Sequence, residues 1–149
     1  MKKVVVLWSS PNTDGLTASA KNSYIKGLKD SGAEIEEIHL NRKNIEHCKA
    51  CGNGWGTCSK TGNCAIQDDF NEIYRTLAEA DGIVWISAVY WSDMTECLTQ
   101  LERGLTHMGM RVYDRIPVVR YNKDYILPAL EKAGETYMDA LENGFDMYY

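Results

Sequence analysis

Val4-Val5-Val6-Leu7-Trp8-Ser9-Ser10-Pro11-Asn12-Thr13-Asp14-Gly15-Leu16-Thr17 is the stretch that decides the fold. Val4 to Trp8 is an unbroken apolar run, the pattern of a parallel strand buried on both faces. A turn follows. Ala20, Tyr24, Ile25 and Leu28 then recur at helical spacing until Gly32, a residue suited to stopping a helix. A strand, a turn rich in hydroxyls and glycine, and a helix start together suit an anion. Free N–H groups converge at the first helical turn and the helix dipole favours negative charge there. Ser9, Ser10, Asn12, Thr13 and Thr17 add side-chain donors. The turn holds no Lys or Arg, so backbone and hydroxyls would do the binding. Composition alone also fits an ordinary strand-to-helix loop, and leaves both readings open.

Working outward, Glu34 to Leu40 alternates through Ile35, Ile38 and Leu40 as a second strand. Residues 41–67 show no period and carry four cysteines. A loop that long is usually functional or ordered by a ligand. Asp69-Phe70-Asn71-Glu72 reads as a capping box, followed by a buried stripe of Phe70, Ile73, Tyr74 and Leu77. Gly82 to Ser87 is a third buried strand. Asp93-Met94-Thr95-Glu96 reads as a second capping box, with Met94, Cys97, Leu98, Leu101, Leu105 and Met108 on one apolar face. Gly109 ends that helix, and Arg111 to Val119 is a fourth, more polar strand near an edge. Asn122 to Leu141 is a last helix, whose regular part is expected to begin at Pro128. Asn143 to Tyr149 reads as a loosely held tail. This alternation predicts one α/β domain over 1–149, a parallel sheet with helices on both faces and a cysteine-rich loop at 41–67.

The 149 residues fit one domain and can bury a core without a covalent staple. The net charge of −5 without a basic block argues against nucleic acid as a partner. No apolar run approaches the ~20 residues of a membrane span. The opening Met-Lys-Lys-Val-Val-Val-Leu-Trp resembles a signal sequence, but its apolar stretch stops at Ser9. A cytoplasmic location is expected, where the five cysteines stay reduced or hold a metal. Nine Tyr and four Trp are many for this length; most serve packing, and some can line a site.

Three alternatives for the first turn fail. G-x-G-x-x-G is absent, as is G-x-x-x-x-G-K-[ST]. A C-x5-R match from Cys97 to Arg103 lies on a helix face without glycine, so that cysteine reads as packed core.

In doubly wound sheets, ligands sit beyond the carboxyl ends of the strands. The loop after strand three reaches the same crevice as the first turn. It reads Ala88-Val89-Tyr90-Trp91-Ser92-Asp93. Its adjacent aromatics and exposed N–H groups suit a flat, hydrogen-bonding ring. A phosphate site and a ring site in one crevice suggest a mononucleotide with a planar base.

These residues resemble the NADPH-dependent FMN reductase family and its iron–sulfur flavoprotein relatives, which are flavodoxin-like. The family's strand-G-S-P-R-x-x-G-N-T corresponds to Ser9-Ser10-Pro11-Asn12-Thr13-Asp14-Gly15-Leu16-Thr17. Its S-P-V-Y-x-x-x-[MS] corresponds to Ser87-Ala88-Val89-Tyr90-Trp91-Ser92-Asp93-Met94, and its C-x-I-x-D-D to Cys64-Ala65-Ile66-Gln67-Asp68-Asp69. Ala50 to Cys58 also looks like one branch of the family. The chain departs at Ser9, Asn12, Leu16 and Ala88, where the family has Gly, Arg, Asn and Pro. It is also short by one αβ unit between the Tyr90 loop and the following helix.

The resemblance implies a flavodoxin-like three-layer sandwich with a parallel sheet of four or five strands. It implies FMN held at Ser9, Ser10, Asn12, Gly15, Leu16 and Thr17 and at Ala88 to Asp93, NAD(P)H as donor, and a homodimer or tetramer. The flavin would do the chemistry, with no catalytic side chain required. Two rivals stand beside this reading: a flavin electron-transfer module without NADPH activity, and a degenerate domain acting as a scaffold. Cys48, Cys51, Cys58 and Cys64, spaced C-x2-C-x6-C-x5-C, can hold an iron–sulfur cluster or a zinc ion. The plainer reading is four reduced thiols packed under the loop. Trp55 would cover a flavin face or a subunit contact, and His47 reads as a surface residue.

Overall fold

The structure, a computed structural model, describes residues 1–52, 56, 58–90, 93–107, 116, 118 and 122–144, with the backbone alone at 90, 93, 94 and 102–107. Strand β1 (Lys3–Ser9) leads into helix α1 (Leu16–Asp30), then β2 (Glu34–His39), which closes in a 3-10 turn (Leu40–Arg42). A short helix α2 (Cys58–Thr61) interrupts the cysteine loop. Helix α3 (Phe70–Ala78), strand β3 (Gly82–Ser87), a hairpin of β4 (Val89–Tyr90) and β5 (Asp93–Met94), helix α4 (Glu96–His107) and helix α5 (Lys123–Asn143) complete the order.

The described sheet is parallel, in the order β2-β1-β3. Val4 to Leu7 of the central strand are fully buried, as their unbroken apolar run predicts. Val5 and Leu7 face Phe70, Ile73 and Leu77 of α3 and Leu98 and Leu101 of α4. Val4 and Val6 face Ile25 and Leu28 of α1 and Met138 of α5. Alternate residues of one strand thus feed two cores, and the result is an α/β/α sandwich. Helix α1 ends as expected: Gly32 takes φ +84°. Its N–H donates to the Lys29 carbonyl at 2.9 Å and that of Ala33 to Leu28 at 3.0 Å, a Schellman motif.

Four expectations need correction. Neither capping box forms. Asp69 makes no side-chain cap; instead it accepts the Asn44 N–H at 2.7 Å, while Asp68 accepts those of Glu46 at 2.8 Å and Phe70 at 3.0 Å. The paired carboxylates pin the start of the cysteine loop to α3. Asp93 and Met94 pair with Tyr90 and Val89 in the hairpin, so α4 starts later, on Thr95, whose carbonyl accepts the Leu98 and Thr99 N–H groups. Pro128 lies inside a continuous α5. It sits early in the helix, so its missing N–H removes one backbone bond, and packing of α5 on α1 holds the rest. Finally, β3 is buried at Gly82 but only half-buried from Ile83 to Ser87, because it is the last strand of the described sheet. Apart from Ile116 and Val118, the strand expected at 111–119 lies outside the described residues, as do the Gly109 stop, Trp55, Trp91 and Ser92, and the tail beyond 144.

Candidate functional site

The parallel register sets Ser9 opposite Ser87 and Trp8 opposite His39, so the first turn and the 87–95 loop leave the sheet at neighbouring strand ends. The Ala88 N–H donates to the Ser9 carbonyl at 3.0 Å and ties the two loops together. Beneath them lies a buried polar knot. Ser9, fully buried, hydrogen-bonds through Oγ to Thr95 Oγ1, to Cys97 Sγ at 3.0 Å and, as donor, to Asn41 Oδ1 at 3.4 Å. Ser87 Oγ accepts the Thr95 N–H at 3.0 Å. The Ser9 hydroxyl, expected to face a phosphate, is used inside the fold, and one of the N–H groups expected for a ring, that of Ala88, is used too.

Ser10 is buried, and its hydroxyl and carbonyl are engaged. Its Oγ accepts the Asn12 N–H at 3.2 Å, and its carbonyl accepts His39 Nε2 at 2.9 Å. Asn12 and Thr13 are exposed, and Gly15, Leu16 and Thr17 are partly so. Gly15 precedes α1, and no side chain caps the helix. The uncapped N–H groups of the first helical turn are therefore the donors this end of the crevice offers. At the other end Val89 is 68 % exposed, an apolar side chain left uncovered on the ring loop. Tyr90 and Asp93 pair with each other across the β4–β5 hairpin.

Trp8 forms the floor near the turn. It is 5 % exposed, its ring lies parallel to that of His39 with centroids 3.8 Å apart, and Lys21 Nζ sits 4.8 Å over it. Lys21 is itself paired with Glu37 at 2.6 Å. The Trp8 Nε1 is buried without a hydrogen-bond partner among the described residues. A donor in that state is costly. The donor set of this end, the uncapped N–H groups of the first helical turn with the accessible Thr13 and Thr17 hydroxyls, fits an anionic, phosphate-bearing ligand.

His39, Asn41, Thr95 and Trp8 did not stand out in the sequence. The register that sets Trp8 against His39 is the signal that could have marked the pair. A cavity of about 350 Å³, lined by Glu36, Glu37, His39, Arg42 and Glu72 among others, opens along β2 and not between the two loops. Its mixed charges do not match the phosphate chemistry of the turn.

The cysteines are less organised. Cys48 and Cys51 are exposed, and Cys58 and Cys64 partly buried, all as free thiols. Cys64 packs against the core, and its N–H donates to Asn71 Oδ1 at 2.7 Å. Gly56 stands between Cys51 and Cys58, where an added Cβ would lie 3.2 Å from Cys51 Cβ and 3.7 Å from Cys58 Sγ. Among the described residues no three metal-ligating side chains converge. His47 is exposed and pairs with Glu96 at 3.1 Å. No described helix is long and apolar enough to cross a membrane.

An iron–sulfur flavoprotein of Archaeoglobus fulgidus is 33% identical over 106 residues, covering 70% of this chain and 46% of its own. One from Methanocaldococcus jannaschii is 32% identical over 99 residues, covering 66% and 49%. The chain thus spans about half the length of these relatives. Among solved structures, the NAD(P)H:quinone oxidoreductase of Methanothermobacter marburgensis superposes with a TM-score of 0.57 at 20% identity, over 72% of this chain and 54% of that one. The shared fold agrees with the β2-β1-β3 order, which is how a flavodoxin-like sheet begins. Sequence similarity to NADPH-dependent FMN reductases runs from residue 2 to residue 115, through both loops of the crevice, and the chain belongs to that family.

Proposed function

We propose that the protein is an FMN-binding oxidoreductase that uses NAD(P)H. The observation that carries this reading is the joining of the first turn to the 87–95 loop at adjacent strand ends, through Ala88 N–H to Ser9 and through the Ser9–Thr95–Ser87 knot. The β1/β3 junction is where flavodoxin-like sheets take a flavin. The first turn of α1, with Asn12, Gly15, Leu16 and Thr17, would hold the phosphate, and Ser9 and Ser10 would shape the turn from below. The 88–93 segment would lie along the ring, with Val89 giving it an apolar edge. When bound, FMN would accept hydride from a nicotinamide and pass electrons on to an acceptor. The protein's part is to bind, orient and hold the two loops in register, and no side-chain acid or base is assigned. A fourth strand from the 111–119 pattern, a homodimer or tetramer and a cytoplasmic location belong to the same reading. The four cysteines are assigned no ligand.

Titration of the purified protein with FMN, followed by quenching of flavin fluorescence, tests the proposal, with NADPH oxidation measured on the loaded protein. Saturable binding with turnover is expected. Binding without NADPH oxidation would make it an electron-transfer module, and no binding would leave the scaffold reading.

A further inference from the structure

We propose that His39 is a positioning residue for the phosphate end of the flavin, an inference that rests on the FMN reading above. His39 closes β2, directly opposite Trp8 in the parallel register. Its imidazole lies on the indole at 3.8 Å between centroids and 8° between planes, so the ring cannot swing without losing that face. In this pose Nε2 reaches the Ser10 carbonyl at 2.9 Å. A carbonyl only accepts, so Nε2 carries the proton and donates. The bond runs from one strand to the first residue beyond its neighbour. It therefore fixes the peptide through which the turn departs.

The Ala88 N–H holds the Ser9 carbonyl one residue earlier; at Ser10 itself the described residues offer little else. Pro11 has no N–H to donate. Ser10 Oγ is occupied by the Asn12 N–H, a bond internal to the turn. The turn contains no Lys or Arg, so its grip on a phosphate depends on where its N–H groups point and not on a side-chain charge. An anion site built from backbone dipoles loses strength quickly when they drift. Lys21 is held over Trp8 and paired with Glu37. Trp8, Lys21 and Glu37 thus hold His39's platform, and His39 holds the turn.

The test compares FMN with riboflavin, which has the same ring and no phosphate, by fluorescence titration of the wild type, His39→Phe and His39→Gln at one pH. His39→Phe keeps a flat ring on Trp8 and loses the donor. His39→Gln keeps an N–H donor and loses the ring. His39→Phe is expected to weaken FMN roughly five- to tenfold, the loss of one well-placed hydrogen bond, and to leave riboflavin unchanged. His39→Gln is expected to recover most of the FMN affinity. Equal losses for both flavins, or no loss for FMN, overturn the role. A His39→Phe protein without a cooperative melt leaves the decision to His39→Gln, which must keep the wild-type ratio of FMN to riboflavin affinity. A wild type that binds both flavins equally overturns this inference while sparing flavin binding. A wild type that binds neither overturns the function and this role together.

Discussion

Three polar groups share the Thr95 hydroxyl: Ser9 Oγ, Ser87 Oγ at 3.4 Å and Cys97 Sγ at 3.6 Å. Thr95 is 6 % exposed and Ser9 fully buried, so none of these bonds has water as a ready substitute. Replacing Thr95 with Val keeps the shape, removes the shared hydroxyl and strips a partner from each neighbour. A buried polar group left short costs about 1–3 kcal/mol. Thr95→Val should lose that much in urea unfolding and should weaken FMN, because the knot couples the two loops. Unchanged stability would mean that the knot is incidental. The family motif sets Ser9 among the phosphate ligands, and a hydroxyl in a strand-to-helix turn is a natural donor. Position in a motif does not say which way a side chain points. Ser9 alternates inward at the end of a fully buried strand, and that decided its partners. In the sequence Thr95 falls in the middle of a capping-box pattern, since the pairing of Asp93 with Tyr90 leaves no mark in composition.

Helices α1 and α5 meet where each presents a glycine. A Cβ on Gly27 would fall 1.8 Å from the Glu131 carbonyl oxygen, and one on Gly134 would fall 2.5 Å from that of Tyr24. Backbone therefore meets backbone, and neither helix can yield by turning a side chain. In a free helix Ala would be better than Gly by about 1 kcal/mol. Here the clash reverses the sign. Gly27→Ala should lower stability by roughly 1–3 kcal/mol or more, as overpacking does, measured by the urea midpoint. A gain in stability would show that the helices stand further apart. The periodic faces of α1 and α3, the buried run of β1 and the Gly32 stop were all legible, because apolar spacing and glycine conformation are local. The contact at Gly27 was not, because a glycine within a helix reads only as a weak point until its neighbour is known. Pro128 misled for the same reason: its local cost is real, but the packing that offsets it lies in α1.

At the scale of the molecule, the described sheet ends on a strand that reads as fully buried yet is only half-buried beyond Gly82, in a chain that spans about half the length of the relatives it matches. Helix α5 meets that strand through Tyr137. The Ile83 N–H donates to Tyr137 Oη at 3.0 Å, and the hydroxyl donates back to the Ile83 carbonyl at 3.3 Å. Gly82 makes room, since a Cβ there would lie 2.8 Å from that oxygen. One phenol thus serves both backbone groups of a strand residue and anchors the last helix to the sheet. Burial pushes the Tyr137 hydroxyl above its ordinary value, against a smaller opposing pull from the Ile83 N–H. The folded state therefore favours the protonated phenol. Its contribution is whole below the unfolded value of about 10 and is lost as pH rises through the raised folded value. Melting temperatures of wild type and Tyr137→Phe across pH 7 to roughly 11 separate this residue from the other tyrosines. The variant should melt lower at neutral pH, by the about 1–3 kcal/mol of a stranded Ile83 peptide pair. The gap should narrow as the solution turns alkaline. Two curves that stay parallel to the top of the range would mean that Tyr137 packs beside β3 without holding it.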